Sequence, residues 1–295
     1  MPLGTFTKMH GCGNSFLVAL ASEAEVSTLR PHIPALCAHT FGIGSDGMML
    51  VEAGKGGDFE VRMFNPDGSL MGMCGNGIRC VARYVFEKGL IEDASAWVPF
   101  NVEGRRIECR IHERGLRVEV NMGAPRFNPD QLPMLRESQC IDQPLNTPAG
   151  EFRFTAVSMG NPHCVIFTPD IASIELDRLG PIIEHHPDFP RRINVEFVSV
   201  VSRSHLKVRV WERGAGVTLA CGTGACATLV AAVLTDRADA RALVELPGGS
   251  VEVEWDRERN LVFMTGPTSR VAEISLTPEF FQESSANPLR FGVPL

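Results

Sequence analysis

Two of the nine cysteines share one local sequence, a cysteine followed by Gly-x-Gly and an apolar segment: Cys74 begins Cys-Gly-Asn-Gly, and Cys221 begins Cys-Gly-Thr-Gly. Glycine permits a tight turn, and the first amides of a following helix lack partners inside it and carry the positive end of its dipole. Such amides can bind a carboxylate, and their field can lower a thiol pKa. The pattern predicts two acid/base thiols beside carboxylate sites at Gly75, Asn76, Gly222 and Thr223.

A pair of equivalent thiols suits the inversion of a carbon centre next to a carboxylate. A thiolate on one face removes the α-proton, and a thiol on the opposite face returns a proton, with the roles exchanged in the reverse reaction. The negative charge that develops needs stabilisation, which two helix amino termini can supply. The chemistry predicted for Cys74 and Cys221 is therefore two-base epimerisation or racemisation of an amino acid.

The chain contains an internal duplication that relates the two cysteines. Residues 60–80 align with 207–227 at an offset of 147, which also places Gly13 and Asn14 on Gly160 and Asn161. Several segments share this offset without a gap, so chance matching of glycines is a poor explanation. The pattern predicts two homologous halves, near 1–121 and 150–267, joined by a proline-rich connection with prolines at 125, 129, 133, 144 and 148.

Each half must hold its thiol on a small set of elements. Alternating apolar and polar residues predict strands, and one apolar segment after each Gly-x-Gly predicts a largely buried helix. The predicted strands are 59–64, 106–111, 116–120, 206–211, 250–255 and 261–264, and the predicted helices are 78–88 and 225–234. The fold class is therefore α+β, with two similar domains and an active site in the cleft between them.

Composition excludes several other classes of protein. The chain has 295 residues, is 44% hydrophobic and carries a formal net charge of −7, which fits a globular protein and argues against a nucleic-acid partner. Its longest apolar stretch, 225–234, is far short of a membrane span, and its amino terminus lacks an apolar signal core. The cysteine spacing fits neither a disulfide framework nor a zinc site. These features predict a cytoplasmic protein without a bound metal.

The sequence also favours chemistry without pyridoxal phosphate. A Schiff-base cofactor needs a lysine in a suitable loop. The chain has four lysines, and of these Lys55 alone has a loop-like context, which is explained more simply by a hairpin turn: Lys8, Lys55, Lys88 and Lys207. We therefore expect no cofactor.

The motifs around these residues resemble those of the diaminopimelate epimerases, within the cofactor-independent two-cysteine amino-acid racemases. The matching segments are KMHGCGNSF (8–16), FGIGSDG (41–47), FNPDGSLMGMCGNGIRC (64–80), VEVNMGAP (118–125), GNPH (160–163), RINVEFV (192–198) and WERGAGVTLACGTGACA (211–227). The resemblance implies two pseudosymmetric domains, 1–121 with a returning 268–295 and 122–267, each a mostly antiparallel sheet around a central helix. It also implies interconversion of LL- and meso-diaminopimelate on the route to lysine and peptidoglycan.

The resemblance assigns roles to individual positions. Cys74 and Cys221 match the acid/base thiols, and His163 and Glu212 match positions that support the thiols or orient the substrate. The matched substrate-binding positions are Asn14, Asn65, Gly75, Asn76, Asn161, Asn194, Glu212, Arg213, Gly222 and Thr223. Without the motifs, His163 would be interpreted as a core histidine, Asn65 as a turn residue, and Glu212 with Arg213 as a solvated charge pair.

Three departures from the family pattern leave the specificity and assembly open. Gly47 stands where a glutamine is frequent in the family, and Ser15 stands where an aspartate is frequent. Ala272 stands in a region where some members carry a tyrosine that forms the dimer. A related racemase for another amino acid, such as histidine, is therefore a second hypothesis, and a homodimer is left open. A cysteine hydrolase using His163, or a non-catalytic binding protein, would leave one thiol of the pair unexplained.

Overall fold

A computed structural model describes residues 4–54 and 58–286 of the chain. It divides into two compact units, Met1–Val120 with Pro267–Leu295, and Asn121–Gly266. The expected domains, 1–121 with 268–295 and 122–267, stay a prediction. The parts of that expectation that fall on 1–3 and 287–295, and the Lys55 turn, lie outside the described residues.

The described residues form strands and helices in the following order along the chain. The strands are β1 (Thr5–Gly11), β2 (Asn14–Leu20), β3 (Met48–Ala53), β4 (Phe59–Phe64), β5 (Val98–Val102), β6 (Arg105–His112), β7 (Arg117–Gly123), β8 (Gln143–Thr147), β9 (Gly150–Ser158), β10 (Pro162–Phe167), β11 (Asn194–Ser202), β12 (His205–Glu212), β13 (Gly216–Thr218), β14 (Arg241–Leu246), β15 (Gly249–Asp256), β16 (Leu261–Pro267) and β17 (Ser269–Ser275). The helices are α1 (Glu23–Leu29), α2 (Ile33–Cys37), α3 (Gly75–Glu87), α4 (Leu176–Glu184), α5 (Gly222–Leu234) and α6 (Pro278–Ala286). Among these described helices, none is long and apolar enough to cross a membrane.

Each unit is built on a mixed sheet with the same pattern of strand directions. In the first unit the order is β17-β1-β2-β3-β4-β5-β6, with β2–β3 and β4–β5 parallel and the other pairs antiparallel. In the second the order is β8-β9-β10-β11-β12-β14-β15-β16, with β10–β11 and β12–β14 parallel. The predicted α+β class, with mostly antiparallel sheets, is confirmed.

The sequence offset of 147 is reproduced in the structure. Helix α5 is α3 shifted by this offset at both ends, and both helices are largely buried. The pairing Leu17–Met48 between β2 and β3 recurs as Cys164–Val195 between β10 and β11. The duplicated sequence therefore encodes duplicated packing around two central helices.

Both central helices begin earlier than the apolar pattern predicts. The predicted starts at residues 78 and 225 were wrong by three residues, because the paired glycines lie inside the first helical turn. A Cβ atom on Gly77 would lie 2.5 Å from Cε of Met49, and one on Gly224 would lie 2.8 Å from Oε1 of Glu196. The second glycine of each motif thus lets a side chain of the sheet pack directly against the first turn of the helix.

The proline-rich segment, which was predicted to join the two halves, is part of the second unit. The apolar side chains of Leu132, Met134 and Leu145 are buried in that unit's core, which gives the segment a fixed place. Strand β8 pairs with β9 as β17 pairs with β1. Strand β17, near the carboxyl terminus, is therefore the edge strand of the first sheet. Strand β8, from the proline-rich segment, has the same place in the second sheet.

We expect Gly180→Ala to lower the free energy of unfolding by about 1–3 kcal/mol, although alanine favours helix. A Cβ atom at Gly180 in α4 would lie 2.4 Å from Cδ2 of Trp211. The indole cannot retreat freely, since its Nε1 donates to Oε2 of Glu184 at 2.6 Å. Urea unfolding checks this, with the exposed Arg178→Ala on the same helix as control. Equal midpoints for the two variants would contradict the packing argument.

Candidate active site

In the first unit, Cys74 occupies the N-cap position of the buried helix α3. Its backbone is extended, and its sulfur accepts a hydrogen bond from the Gly77 amide at 3.4 Å. The thiol also donates to Oδ1 of Asn14 at 3.8 Å. This thiol is half-buried, so the start of the helix and the loop after β1 together present a reactive group with defined polar contacts.

Asp46 fixes the start of β2, which carries Asn14, although no sequence pattern assigned Asp46 a role. Its Oδ2 accepts from Nδ2 of Asn14 at 3.2 Å and from the Ser15 amide at 2.7 Å. With Oδ1 turned to Cys74, the orientation of the Asn14 amide is determined by both neighbours. The signal was present in the motif FGIGSDG, where a polar loop precedes an apolar strand.

A buried arginine lies beneath the same helix start. Arg79 has no exposed surface, and its guanidinium donates to the Gly75 carbonyl at 3.2 Å and to Oδ1 of Asn76 at 2.9 Å. It also reaches Sγ of Cys12 at 3.7 Å. The first turn of α3 is thus held rigidly by a cation, which suits a site for a carboxylate.

In the second unit, Cys221 caps α5 with a backbone conformation close to that of Cys74. Burial raises the pKa of the Cys221 thiol well above its usual value, and the carboxylates of Glu212 and Glu196 raise it further. The expectation that the helix field lowers the thiol pKa was wrong for Cys221. Desolvation and two nearby negative charges outweigh the dipole, which is an effect of long-range packing.

A series of hydrogen bonds connects His163 to Cys221 through two of the predicted site residues. Nε2 of His163 lies 3.1 Å from Oδ1 of Asn161, whose Nδ2 donates to Oγ1 of Thr223 at 3.1 Å. The Thr223 hydroxyl lies 3.5 Å from Sγ of Cys221. On its other side, Nδ1 of His163 lies 2.6 Å from Oε1 of Glu196. Three predicted residues thus meet beside the thiol, together with Glu196.

Glu212 is the last residue of β12 and Arg213 begins the turn that follows, beside this series of hydrogen bonds. Oε1 of Glu212 accepts from the Thr218 hydroxyl at 2.6 Å. The Arg213 amide donates to Oδ1 of the buried Asn194 at 2.9 Å, while its guanidinium is exposed and donates to the Arg191 carbonyl at 3.2 Å. Asn194 therefore positions the Arg213 backbone and leaves the guanidinium accessible to a ligand.

Glu184 of α4 anchors the same turn, and no sequence pattern assigned it a role. Its side chain is buried and accepts from the Trp211 indole and, at 3.0 Å, from the Gly214 amide. The turn that carries Arg213 is thus held at both of its ends. A charged residue among apolar positions of α4 was the available signal.

Three further positions lie in the first unit, with Asn65 directly after β4, Gly47 directly before β3 and Ala272 within β17. Nδ2 of Asn65 donates to Oγ of Ser69 at 2.9 Å within the turn after β4. A Cβ atom on Gly47 would lie 2.5 Å from the Phe64 carbonyl oxygen, so this backbone excludes a side chain there. Ala272 lies in β17 opposite Lys8 of β1.

The family comparison decides the affiliation of the chain. The sequence profile of the diaminopimelate epimerase family matches residues 6–128 and 155–271. The chain belongs to the diaminopimelate epimerase family. It is 46% identical over 272 residues to diaminopimelate epimerase 1 of a Nostoc species, covering 90% of this chain and 97% of that protein. It is 46% identical to the diaminopimelate epimerase of Moorella thermoacetica over 271 residues, covering 90% and 96%.

More distant solved structures share the epimerase fold. A probable proline racemase from Agrobacterium radiobacter aligns with a TM-score of 0.68 at 14% identity, covering 96% of this chain and 95% of that chain. A hydroxyproline epimerase from Agrobacterium vitis aligns with a TM-score of 0.65 at 16% identity, covering 94% of each. These likenesses show that the fold occurs in proteins with other names, so specificity depends on individual side chains.

Proposed function

We propose that this chain interconverts LL- and meso-2,6-diaminopimelate by direct proton transfer at the α-carbon, without pyridoxal phosphate. The observation that carries the proposal is the pair of N-cap cysteines at equivalent positions of two duplicated units, in a chain of the diaminopimelate epimerase family. The diaminopimelate epimerases to which it is similar match it along nearly their full length. The substrate is a free amino acid, and we propose a cytoplasmic place in lysine and peptidoglycan precursor synthesis.

In the proposed mechanism each thiol serves one face of the substrate. A thiolate takes the α-proton, the electron pair moves onto the α-carbon and its carboxylate, and the opposite thiol then donates its proton to the other face. After one turnover the two sulfurs have exchanged their protonation states, so proton exchange with solvent or reverse turnover restores the starting protonation of the enzyme. Cys74 and Cys221 are the proposed acid/base residues.

Binding of the α-carboxylate is proposed at the amino termini of the two central helices. The amides of Gly75 and Asn76, and those of Gly222 and Thr223, lie in the first turns of the two helices, at the positive ends of the helix dipoles. Charge that develops on the carboxylate during proton removal is stabilised by these amides and dipoles. The buried Arg79 guanidinium holds one of these turns in place.

The distal end of the substrate carries a second carboxylate and a second ammonium group. We propose that the exposed Arg213 guanidinium binds the distal carboxylate. Glu212 and the side-chain amides of Asn65 and Asn161 bind the distal ammonium group and orient the carbon chain of the substrate. Arginine can form two parallel hydrogen bonds with a carboxylate, which favours a dicarboxylic substrate. We propose that Asn194 also serves this distal end and that Asn14 binds the substrate beside Cys74.

A hydrolase that pairs Cys221 with His163 is disfavoured by the geometry. Both ring nitrogens of His163 are occupied by Glu196 and Asn161. A nucleophilic cysteine needs a base within hydrogen-bond reach of its sulfur. In the structure the polar neighbour of this sulfur is instead the Thr223 hydroxyl.

The substrate test is incubation of the purified enzyme with LL-diaminopimelate, with chromatographic separation of the stereoisomers. We expect meso-diaminopimelate to form until both isomers are present at equilibrium. L-histidine, L-proline and L-lysine serve as parallel substrates under the same conditions. Racemisation of one of these with diaminopimelate unchanged would assign the enzyme to the related racemase class, for which the Gly47 departure leaves room.

A further inference from the structure

The buried pair His163 and Glu196 has no assigned part in the proton transfers described above. Neither residue has exposed surface, and Nδ1 and Oε1 lie 2.6 Å apart. Within residues 4–54 and 58–286, Oε2 of Glu196 is buried and has no hydrogen-bond partner. Burying a carboxylate in this way costs free energy, and apolar residues of similar volume are often better for stability.

The first unit shows that the fold does not require this pair. At the offset of 147, Phe16 corresponds to His163 and Met49 corresponds to Glu196, and both are fully buried. Met49 packs against Gly77 as Glu196 packs against Gly224. The same strands and helix therefore close around apolar side chains in one unit and around an ionisable pair in the other.

The hydrogen bonds from this pair have one consistent direction toward the thiol. Because Asn161 turns its Nδ2 to Oγ1 of Thr223, its Oδ1 faces His163 and requires a proton on Nε2. The Thr223 oxygen accepts from Asn161, which leaves its hydroxyl proton for Sγ of Cys221 at 3.5 Å. Glu196 completes the arrangement by meeting Nδ1 of the same imidazole.

We propose that Glu196 is a positioning residue for Cys221, because its contact with His163 fixes the hydrogen bonds that direct the Thr223 hydroxyl onto the thiolate sulfur. The acid/base role of Cys221 rests on the proposed function. The positioning itself is a property of the free enzyme. It also distinguishes the two thiols, since the first unit has Phe16 and Met49 in place of the pair.

Several charged groups surround Cys221 and must be separated from this effect. Glu212 lies on β12 and Glu196 on β11. Burial is the largest cause of the raised thiol pKa, and both carboxylates raise it further. The Thr223 hydroxyl lowers the pKa of the thiol. His163 of β10 contacts Glu196 directly. The carboxylate of Glu196 also raises the pKa of the Cys164 thiol on the same strand as His163. Loss of the Glu196 charge and loss of its hydrogen bond should therefore act in opposite directions.

A pair of substitutions separates charge from positioning. Glu196→Gln and Glu196→Met both remove the negative charge and nearly preserve the volume of the side chain. The Gln amide can still donate to Nδ1 of His163, whereas Met, the residue at the equivalent position of the first unit, makes no such bond. A difference between the two variants thus reports the hydrogen bond alone.

The measurement is the rate of alkylation of each thiol by iodoacetamide between pH 7 and 10, without substrate. Mass spectrometry of tryptic fragments reports Cys74 in 63–79, and fragmentation separates Cys221 from Cys226 in 214–237. At pH 8 we expect Cys221 in Glu196→Met to react about tenfold more slowly than in Glu196→Gln, the effect of one hydrogen bond to a charged sulfur. Glu196→Gln should react at least as fast as the unmodified enzyme, and Cys74 should be unchanged throughout.

A second set of variants tests the Thr223 end of this series of hydrogen bonds and remains informative if Glu196→Met does not fold. Thr223→Val should slow alkylation of Cys221 by a similar factor, and Thr223→Ser should restore the rate. In the double variant Glu196→Met, Thr223→Val the two effects should not add, because both remove the same hydrogen bond.

Equal Cys221 rates in Glu196→Gln and Glu196→Met would overturn the proposal, as would an equal loss at Cys74 or full additivity in the double variant. Unchanged alkylation of Cys221 in Thr223→Val would also contradict it. Because no substrate is present, these outcomes are independent of whether the enzyme acts on diaminopimelate.

Discussion

Replacing either Cys74 or Cys221 by alanine will lower the rate of diaminopimelate epimerisation about 10³-fold or more, from both the LL and the meso isomer. In the proposed mechanism each direction of the reaction uses one sulfur as base and the other as acid, so conversion in neither direction survives without both. Both residues occupy the N-cap position of a buried helix, and alanine adds no volume there. The measurement is the initial rate in each direction at equal enzyme concentration.

Cys109→Ala is the matched control for this pair. Cys109 is a fully buried thiol on β6, and burial strongly raises its pKa, as expected for a packing residue. Cys109→Ala should be less stable than the unmodified enzyme. At temperatures below its unfolding transition, its initial rate should lie within about twofold of that of the unmodified enzyme. Full activity in either Cys74→Ala or Cys221→Ala would eliminate the two-thiol mechanism, whatever the control shows.

Replacing Arg213 by methionine should raise KM for diaminopimelate about 100-fold and change kcat much less. The guanidinium is proposed to hold the distal carboxylate, which does not change charge during the reaction, so ground state and transition state lose the same interaction. Its backbone is fixed by Asn194 and, through Gly214, by Glu184, so removal of the side chain leaves the turn in place. Steady-state kinetics with LL-diaminopimelate provides the measurement.

Arg213→Lys should recover only part of this affinity, because an ammonium cannot reproduce two parallel hydrogen bonds. Arg178→Met, an exposed arginine on α4 in the same unit, should leave KM unchanged. A 100-fold loss in kcat at constant KM for Arg213→Met would contradict distal binding and would place the guanidinium at the reacting centre.

Much of the architecture follows from the repeated sequence. The offset of 147 predicts two similar halves with one central helix each, and α3 and α5 obey it at both ends. Binary patterning located β4 at its observed bounds and β6, β12 and β15 within one residue at each end. Strands β7 and β16 extend three residues beyond their predicted ends. The helix starts were missed because glycine normally signals a turn, whereas here Gly77 and Gly224 permit close packing.

Other features depend on contacts between residues distant in sequence. The pairing of β8 with β9 and of β17 with β1 brings segments to sheet edges that no local pattern specifies. Glu196 stands in the quoted motif RINVEFV, yet its contact with His163 arises only from the parallel pairing of β10 and β11. The raised pKa of Cys221 has the same origin, since burial and two strand carboxylates produce it.

The most direct test of two-thiol epimerisation is deuterium labelling during the first few per cent of reaction in D2O. LL-diaminopimelate is incubated with the enzyme, and the product and the remaining substrate are separated and analysed for α-deuterium by mass spectrometry. Because one sulfur removes the proton and a different, solvent-exchanged sulfur donates, we expect the early meso product to carry one deuterium while the recovered LL isomer carries almost none. Equal early labelling of both isomers, or product that retains the original proton, would contradict proton transfer by two separate thiols.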